Sequence, residues 1–198
     1  MSGQLIVMSG PSGVGKSTVV KQIMQRLQNL RFSVSATTRP IRPGEVNGVN
    51  YYFVSRERFA QMIDDGELLE YTNYVGNFYG TPEKPLDEAL QNGYDILLDI
   101  EVEGALNVKK RRPDAILIFV GAPSFGELRH RLENRGDTAP DLIIQRLERA
   151  KWEYSMAENY DYLVINDAVD VCSNEILSII SAEKCRTHRR AHYLKEEP

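Results

Sequence analysis

Short apolar runs alternate along the chain with longer segments in which apolar residues recur every three or four positions. Runs of four to six mostly apolar residues are typical of strands buried on both faces, and they occupy residues 5–9, 94–99, 115–120 and 162–165. The apolar spacing between these runs is that of amphipathic helices. Strands that alternate with helices predict an α/β fold with a three-layer α/β/α core, in which a mainly parallel sheet lies between two layers of helices.

Residues 33–82 depart from this rhythm. Residues 32–36 and 51–54 resemble short strands, and residues 68–75 alternate loosely before Gly76 and Asn77, a pair typical of a hairpin turn. The stretch contains little crossover helix. We therefore expect an inserted, partly antiparallel subdomain of mixed α+β structure.

The composition excludes several classes of protein. A length of 198 residues favours one domain, and a net charge of −4 argues against bulk binding to nucleic acid. No apolar run approaches the ~20 residues of a membrane span. Cys172 and Cys185 suggest neither a disulfide framework nor a zinc site. The amino terminus enters the first predicted strand without the pattern of a secretory signal, so we predict a cytoplasmic location.

The most informative motif follows the first apolar run. Residues 10–17 read Gly-Pro-Ser-Gly-Val-Gly-Lys-Ser, which is the phosphate-binding pattern G-x-x-x-x-G-K-[ST]. A strand before it and a helix after it are the context that this motif requires, which a chance glycine-rich turn would not have. The glycines allow backbone N–H groups to turn toward one anion at the positive end of a helix. Lys16 can reach the β- and γ-phosphates, and the Ser17 hydroxyl can bind Mg²⁺.

The motif therefore predicts that the chain binds a nucleoside triphosphate. The residues that we expect at its phosphates are Gly10, Pro11, Ser12, Gly13, Val14, Gly15, Lys16 and Ser17.

A second anion site is indicated by a proline-stiffened loop at residues 37–45. Arg39 and Arg42 lie three positions apart there, and two guanidinium groups suit a doubly charged phosphate because each donates two parallel hydrogen bonds. The alternative is a solvated surface loop. Tyr51 and Tyr79 favour the functional interpretation, since each can donate a phenolic hydrogen bond to the same phosphate.

Glu70 is a candidate for recognition of a base. It follows two leucines, so its carboxylate is expected at a buried strand end, where it needs hydrogen-bond donors. Guanine offers two donors, N1–H and the exocyclic amine, whereas adenine presents an acceptor at N1. The alternative is an exposed charge at the end of a strand, as we expect for the nearby Glu67.

Seven sequence blocks in order make the chain resemble the guanylate kinase family along essentially its whole length. They are residues 10–18, 33–45, 47–54, 76–81, 98–105, 131–136 and 164–167. The second and third blocks are specific to this family rather than to P-loop proteins in general. The resemblance implies a P-loop NTPase fold and the reaction ATP + GMP = ADP + GDP. It also implies Mg²⁺ with ATP as the cofactor, and ATP and GMP rather than nucleic acid or a membrane as partners.

The resemblance also implies a division of the chain and the role of each site residue. We expect a core of residues 1–32, 83–124 and 158–198, a GMP-binding subdomain of residues 33–82, and a lid of residues 125–157. The positions that match holders of the GMP phosphate are Arg39, Arg42, Tyr51 and Tyr79. Those that match readers of the guanine are Ser35, Glu70 and Thr81.

Other matched positions concern ATP and the metal ion. Arg135 and Arg146 match lid arginines that close over ATP and complete the catalytic set of Lys16, Arg39 and Arg42. Asn166 matches a position beside the adenine. Asp99 resembles a Walker B acid that holds Mg²⁺ with Ser17. Asp99 and Glu101 are also expected among the residues that bind GMP.

Three points remain open from the sequence. Asp99 also suits a strand-terminal capping acid, and Thr81 also suits the N-cap of a helix through Pro82 and Glu83. Glu101 stands where the family often has aspartate, which leaves its contact undefined.

Three other functions are weaker interpretations of the same residues. A non-catalytic peptide-binding scaffold typically has a degraded phosphate loop, and a kinase for a phosphorylated sugar needs no guanine reader. A GTP-hydrolysing switch needs an Asn-Lys-x-Asp motif, which the sequence lacks.

Overall fold

The computed structural model describes residues 2–74, 76–134 and 140–194. The strands are β1 (Leu5–Ser9), β2 (Leu30–Phe32), β3 (Ala36–Thr37), β4 (Tyr52–Phe53), β5 (Leu68–Tyr74), β6 (Asn77–Pro82), β7 (Asp95–Asp99), β8 (Ile116–Gly121) and β9 (Tyr162–Ile165). The helices are α1 (Lys16–Arg26), α2 (Arg56–Asp64), α3 (Glu83–Gln91), α4 (Val102–Arg111), α5 (Phe125–Glu133), α6 (Pro140–Ser155) and α7 (Val169–Glu183). Short 3₁₀ segments cover Ala157–Asn159 and Thr187–Leu194.

Backbone contacts divide the chain into two compact units. Unit 1 contains residues 8–29 and the chain from residue 116 onward, and unit 2 contains residues 2–7 and 30–115. The larger sheet has five strands in the order β2-β7-β1-β8-β9, and β1 has residues in both units. The observed pairs β2–β7 in unit 2 and β8–β9 in unit 1 are parallel. The predicted α/β class with a parallel sheet is therefore confirmed.

The core of unit 1 includes the packing of α1 against α7. The buried residues of α1 are Val19, Val20 and Ile23. The buried apolar face of α7 runs through Cys172, Ile176 and Ile180 at four-residue spacing. Val171, in the first turn of the same helix, lies off that face and is 55% exposed.

Unit 2 contains a second sheet with the strand order β4-β3-β6-β5. β5 and β6 form the predicted antiparallel hairpin, with Tyr74 opposite Asn77. β3 is antiparallel to β6 and parallel to β4, so the sheet is mixed. Its own apolar core consists of Ala36, Phe59, Met62 and Leu68. This sheet and α2 form the expected mixed α+β insertion.

Two expectations about unit 2 are wrong. The single strand expected at residues 32–36 is two strands in different sheets, because residues 33–35 carry the chain from β2 to β3. Thr81 does not cap α3: Pro82 occupies the N-cap position, while Thr81 belongs to β6 and its hydroxyl donates a hydrogen bond to Glu70. The competing tertiary partner thus determines the role of Thr81.

The segment predicted as a lid lies in unit 1 and begins with a capped helix. Ser124 Oγ accepts a hydrogen bond of 3.0 Å from the Glu127 N–H and so caps α5. Arg135 lies outside the described residues. Every helix in the described ranges is too short or too polar to cross a lipid bilayer.

Candidate active site

The predicted phosphate-binding loop in unit 1 connects β1 to α1 through three glycines with positive φ. Gly10, Gly13 and Gly15 have φ values of 150°, 96° and 89°. A Cβ at Gly10 would lie 2.1 Å from the Val120 carbonyl oxygen, so only glycine fits there. Lys16 Nζ donates to the Gly10 carbonyl at 2.6 Å, which holds the lysine across the loop.

Asn166 and Arg131 support this loop from outside. Asn166 Nδ2 donates to the Val14 carbonyl oxygen at 2.7 Å, and Arg131 Nη1 lies 3.4 Å from the same oxygen. Arg131 Nη1 also donates to the Asn166 carbonyl at 2.9 Å, and its Nε is held by Glu127 at 2.7 Å. The sequence assigned Asn166 to the adenine and gave Arg131 no role. An arginine in the block at residues 131–136 was the available signal for Arg131.

The structure says less about the two predicted lid arginines than about the phosphate-binding loop. Arg146 lies on α6 and is partly buried. Because Arg135 falls outside the described residues, the position of its side chain has no structural account. Their roles stay predictions.

A cavity of about 170 Å³ in unit 2 collects most of the predicted GMP residues. Its lining residues are Ser35, Tyr51, Glu70, Thr72, Tyr74, Tyr79, Gly80, Asp99, Ile100 and Glu101. The sequence did not single out Thr72 and Tyr74. Both could have been found by strand alternation, since they follow Glu70 at two-residue spacing in β5 and therefore share its face.

Glu70 is buried, as expected from its sequence, and only 5% exposed. Thr81 Oγ1 donates to its Oε1 at 2.7 Å, whereas Oε2 is buried without a hydrogen-bond partner among the described residues. Burial raises the pKa of the carboxyl to about 7, although hydrogen bonds from Thr81 act in the opposite direction. A Cβ at Gly104 would lie 2.5 Å from Oε2, so this glycine leaves the carboxylate its space.

Arg39 is held beside the two predicted tyrosines. Its Nη1 and Nη2 donate to the Glu45 carboxylate at 3.0 and 2.7 Å, and this pairing raises the pKa of Arg39. The guanidinium lies 5.3 Å from the centre of the Tyr51 ring, and the neighbouring Tyr79 contributes to the rise in the pKa of Arg39. Glu45, which the sequence did not single out, therefore fixes the Arg39 fork.

Arg42 is placed differently from Arg39. Its side chain is exposed, and its backbone N–H donates to Glu45 at 2.8 Å. The structure thus brings Arg39, Tyr51 and Tyr79 together, and leaves the Arg42 guanidinium at the surface of the same loop.

The chemistry of the predicted metal ligands suits Mg²⁺. Ser17 has an exposed hydroxyl in the first turn of α1, and Asp99 ends β7 as a partly buried carboxylate. Mg²⁺ commonly takes one or two protein oxygens and completes its shell with phosphate and water. The described residues contain no group of three or more potential metal-ligating side chains of His, Cys, Asp or Glu.

Comparisons with known proteins identify one family. The family model described as guanylate kinase matches residues 2–183. A guanylate kinase from Thermus thermophilus is 48% identical over 195 residues, which cover 98% of this chain and 88% of the relative. One from Streptococcus agalactiae (serotype III) is 49% identical over 188 residues, covering 94% of this chain and 90% of the relative.

A solved structure agrees with these sequence relatives. The guanylate kinase from Anaplasma phagocytophilum superimposes with a TM-score of 0.79 at 35% identity, covering 95% of this chain and 89% of that chain. This likeness confirms the predicted P-loop NTPase fold.

Proposed function

The chain belongs to the guanylate kinase family and is an enzyme that phosphorylates GMP to GDP with ATP, and we propose that the two residue sets described above carry out this reaction. The GMP set lies in unit 2 and the phosphate-binding loop in unit 1. The observation that carries the assignment is the buried Glu70 carboxylate, whose Oε2 has no partner in the described structure.

The base of GMP is read by hydrogen-bond complementarity. Guanine brings its N1–H and exocyclic amine to the Glu70 carboxylate, while Thr81 holds Oε1 and Ser35 lines the same cavity. Adenine would place a lone pair against the carboxylate. A buried polar site that is left unpaired in this way can discriminate by a factor on the order of 10⁴.

The GMP phosphate is held by charge and phenolic hydroxyls. Glu45 already orients Arg39 beside Tyr51 and Tyr79. The Arg39 side chain therefore loses little further conformational freedom when the phosphate binds. Arg42 adds a second positive charge from the same loop. Burial is the main reason that the pKa of Tyr51 is raised, which keeps its phenol protonated as a donor.

On the ATP side, the loop N–H groups and Lys16 hold the phosphates, and Asn166 lies beside the adenine. Ser17 and Asp99 would hold Mg²⁺ together with the nucleotide, and the ion would neutralise charge on the β- and γ-phosphates. An oxygen of the GMP phosphate attacks the γ-phosphorus, the bond to the bridging β–γ oxygen breaks, and ADP leaves. Arg135 and Arg146 neutralise charge on the transferring group and, by closure of the lid, exclude water. A cytoplasmic location stays a prediction from the sequence.

The test is ADP formation from Mg-ATP with GMP, AMP, UMP, CMP or ribose bisphosphate, in wild type, Glu70→Ala and Glu67→Ala. Fast turnover with GMP alone, largely lost in the first variant and retained in the second, is expected. Glu67 is the matched control because it is a neighbouring glutamate paired with Arg58 at the surface. Equal rates with GMP and AMP would contradict the guanine reader. Intact ATP binding without turnover on any acceptor would favour a scaffold.

A further inference from the structure

The Val14 carbonyl is a buried group whose direction matters for the phosphate-binding loop. Val14 is buried, so its carbonyl oxygen needs a donor inside the protein. The same planar trans peptide unit contains the Gly15 N–H, and the two groups point in opposite directions. Whatever fixes the Val14 oxygen therefore also fixes the direction of the Gly15 N–H, a donor in the anion-binding motif.

Asn166 supplies the short hydrogen bond to that oxygen. Its Nδ2 lies 2.7 Å away in a buried contact, compared with 3.4 Å for Arg131 Nη1. The amide group also takes the space where Gly15 has no side chain, since a Cβ there would lie 2.7 Å from Nδ2. The glycine and the asparagine are thus fitted to each other.

The backbone of Asn166 is itself fixed at the end of β9. Its N–H donates to the Gly121 carbonyl at 2.8 Å, and its carbonyl accepts from Arg131 at 2.9 Å. With its backbone tied at both polar groups and the residue only 2% exposed, the amide has a defined position. It can therefore act on the loop as a rigid support.

We propose that Asn166 is a positioning residue, which orients the Val14–Gly15 peptide for phosphate binding by donating from Nδ2 to the Val14 carbonyl. The inference rests on the proposed function for the identity of the anion, the phosphate chain of ATP. It is separate from a contact with adenine, because Oδ1 is the other end of the amide. No residue in the described ranges donates a hydrogen bond to Oδ1.

The test separates the phosphate chain from the base. Magnesium tripolyphosphate, which has no base, is titrated as an inhibitor against Mg-ATP with wild type, Asn166→Ala, Asn166→Asp and the control Asn107→Ala. Asn107 is an exposed asparagine of α4 in unit 2. Loss of the Asn166 donor leaves the buried Val14 carbonyl only the longer contact with Arg131, so both Asn166 variants should weaken the binding of tripolyphosphate about 10- to 100-fold. Asn166→Asp should be the weaker binder, since it keeps the shape but adds a negative charge.

A cooperative unfolding transition in urea shows whether each variant is folded, and binding of GMP, whose residues lie in the other unit, is the affinity control. Unchanged affinity for GMP together with weaker binding of tripolyphosphate supports the proposal. A loss of affinity for ATP that exceeds the loss for tripolyphosphate reports the adenine contact. The proposal would be overturned if the variants lost affinity for ATP but not for tripolyphosphate. It would also be overturned if tripolyphosphate inhibited the wild type and both variants equally. A wild type that tripolyphosphate does not inhibit would overturn it too, because there would be no phosphate site to position. Failure of the proposed function would show separately, as absence of GMP turnover by the wild type.

Discussion

Replacement of Glu70 by glutamine is expected to change how the stability of the protein depends on pH. The pKa of this carboxyl is about 7 in the folded protein, against an ordinary value of 4.5, because burial disfavours its charged form. Between these two values the folded state holds a proton that the unfolded state has released. The contribution of Glu70 to stability must therefore fall as the pH rises from 4.5 to 7, and level off above 7.

The size of the effect follows from the two pKa values. A difference between 4.5 and about 7 corresponds to about 3 kcal/mol, a large share of the stability of an ordinary domain. Glutamine does not titrate, so its other effects, including the new amide beside Gly104, are the same at every pH. The gain in stability of Glu70→Gln relative to wild type should thus increase by about 3 kcal/mol between pH 4.5 and pH 8.

Urea denaturation of both proteins at half-unit steps of pH measures this difference directly, and the other titrating groups cancel in the comparison. Glu67→Gln is the matched control for removing a neighbouring carboxylate, because Glu67 lies at the surface and pairs with Arg58. A difference between Glu70→Gln and wild type that does not change with pH would refute the reasoning. The Glu70→Gln variant should lose GMP turnover by about 10²- to 10⁴-fold, because the amide keeps only one, uncharged acceptor and turns its NH₂ group toward a donor of guanine.

Three further substitutions test other contacts. Gly104→Ala should raise the KM for GMP about 10- to 100-fold in steady-state assays and leave that for ATP unchanged, because its methyl group would displace the Glu70 carboxylate. Arg39→Lys should raise the KM for GMP at least about tenfold, because an ammonium cannot replace the guanidinium fork. Arg58→Lys is the control: it alters an ion pair at the surface and should leave the KM for GMP unchanged. Equal effects of the two substitutions on this KM would contradict the assignment of Arg39. Ser124→Ala should lower the free energy of unfolding in urea by about 1 kcal/mol with no change in KM, because the cap of α5 is lost.

Local patterns predicted most of the fold, and their failures have a common cause. The alternation of apolar runs and amphipathic segments predicted the parallel sheet, and Gly76 with Asn77 predicted the hairpin. The strand expected at residues 32–36 failed because periodicity cannot report a change of sheet within a continuous extended segment. The cap expected at Thr81 failed because its hydroxyl has a partner eleven residues away in Glu70, which no local pattern contains.

In the candidate site, the sequence could indicate residues whose own side chain or backbone has the chemistry to bind a ligand directly. Glycines and a lysine at fixed spacing predicted the turn between β1 and α1, whereas of the arginine pair only Arg39 lies beside Tyr51 and Tyr79. Residues that act through other residues were not predictable in this way. Glu45 and Gly104 bind no expected ligand, and their importance depends on distances to Arg39 and Glu70 that only the folded chain defines. The role of each predicted site residue stays a prediction until it is tested.

Two buried side-chain oxygens connect stability to substrate binding. Glu70 Oε2 in unit 2 and Asn166 Oδ1 in unit 1 are both buried acceptors without a hydrogen bond in the described structure. An acceptor that a ligand or the fold leaves unpaired on burial costs about 1–3 kcal/mol. Guanine and adenine each carry an exocyclic amine that can donate to such an oxygen. On the proposed binding of guanine at Glu70 and of adenine beside Asn166, each base donates to one of these oxygens, and a base that lacks a donor there gains no such hydrogen bond.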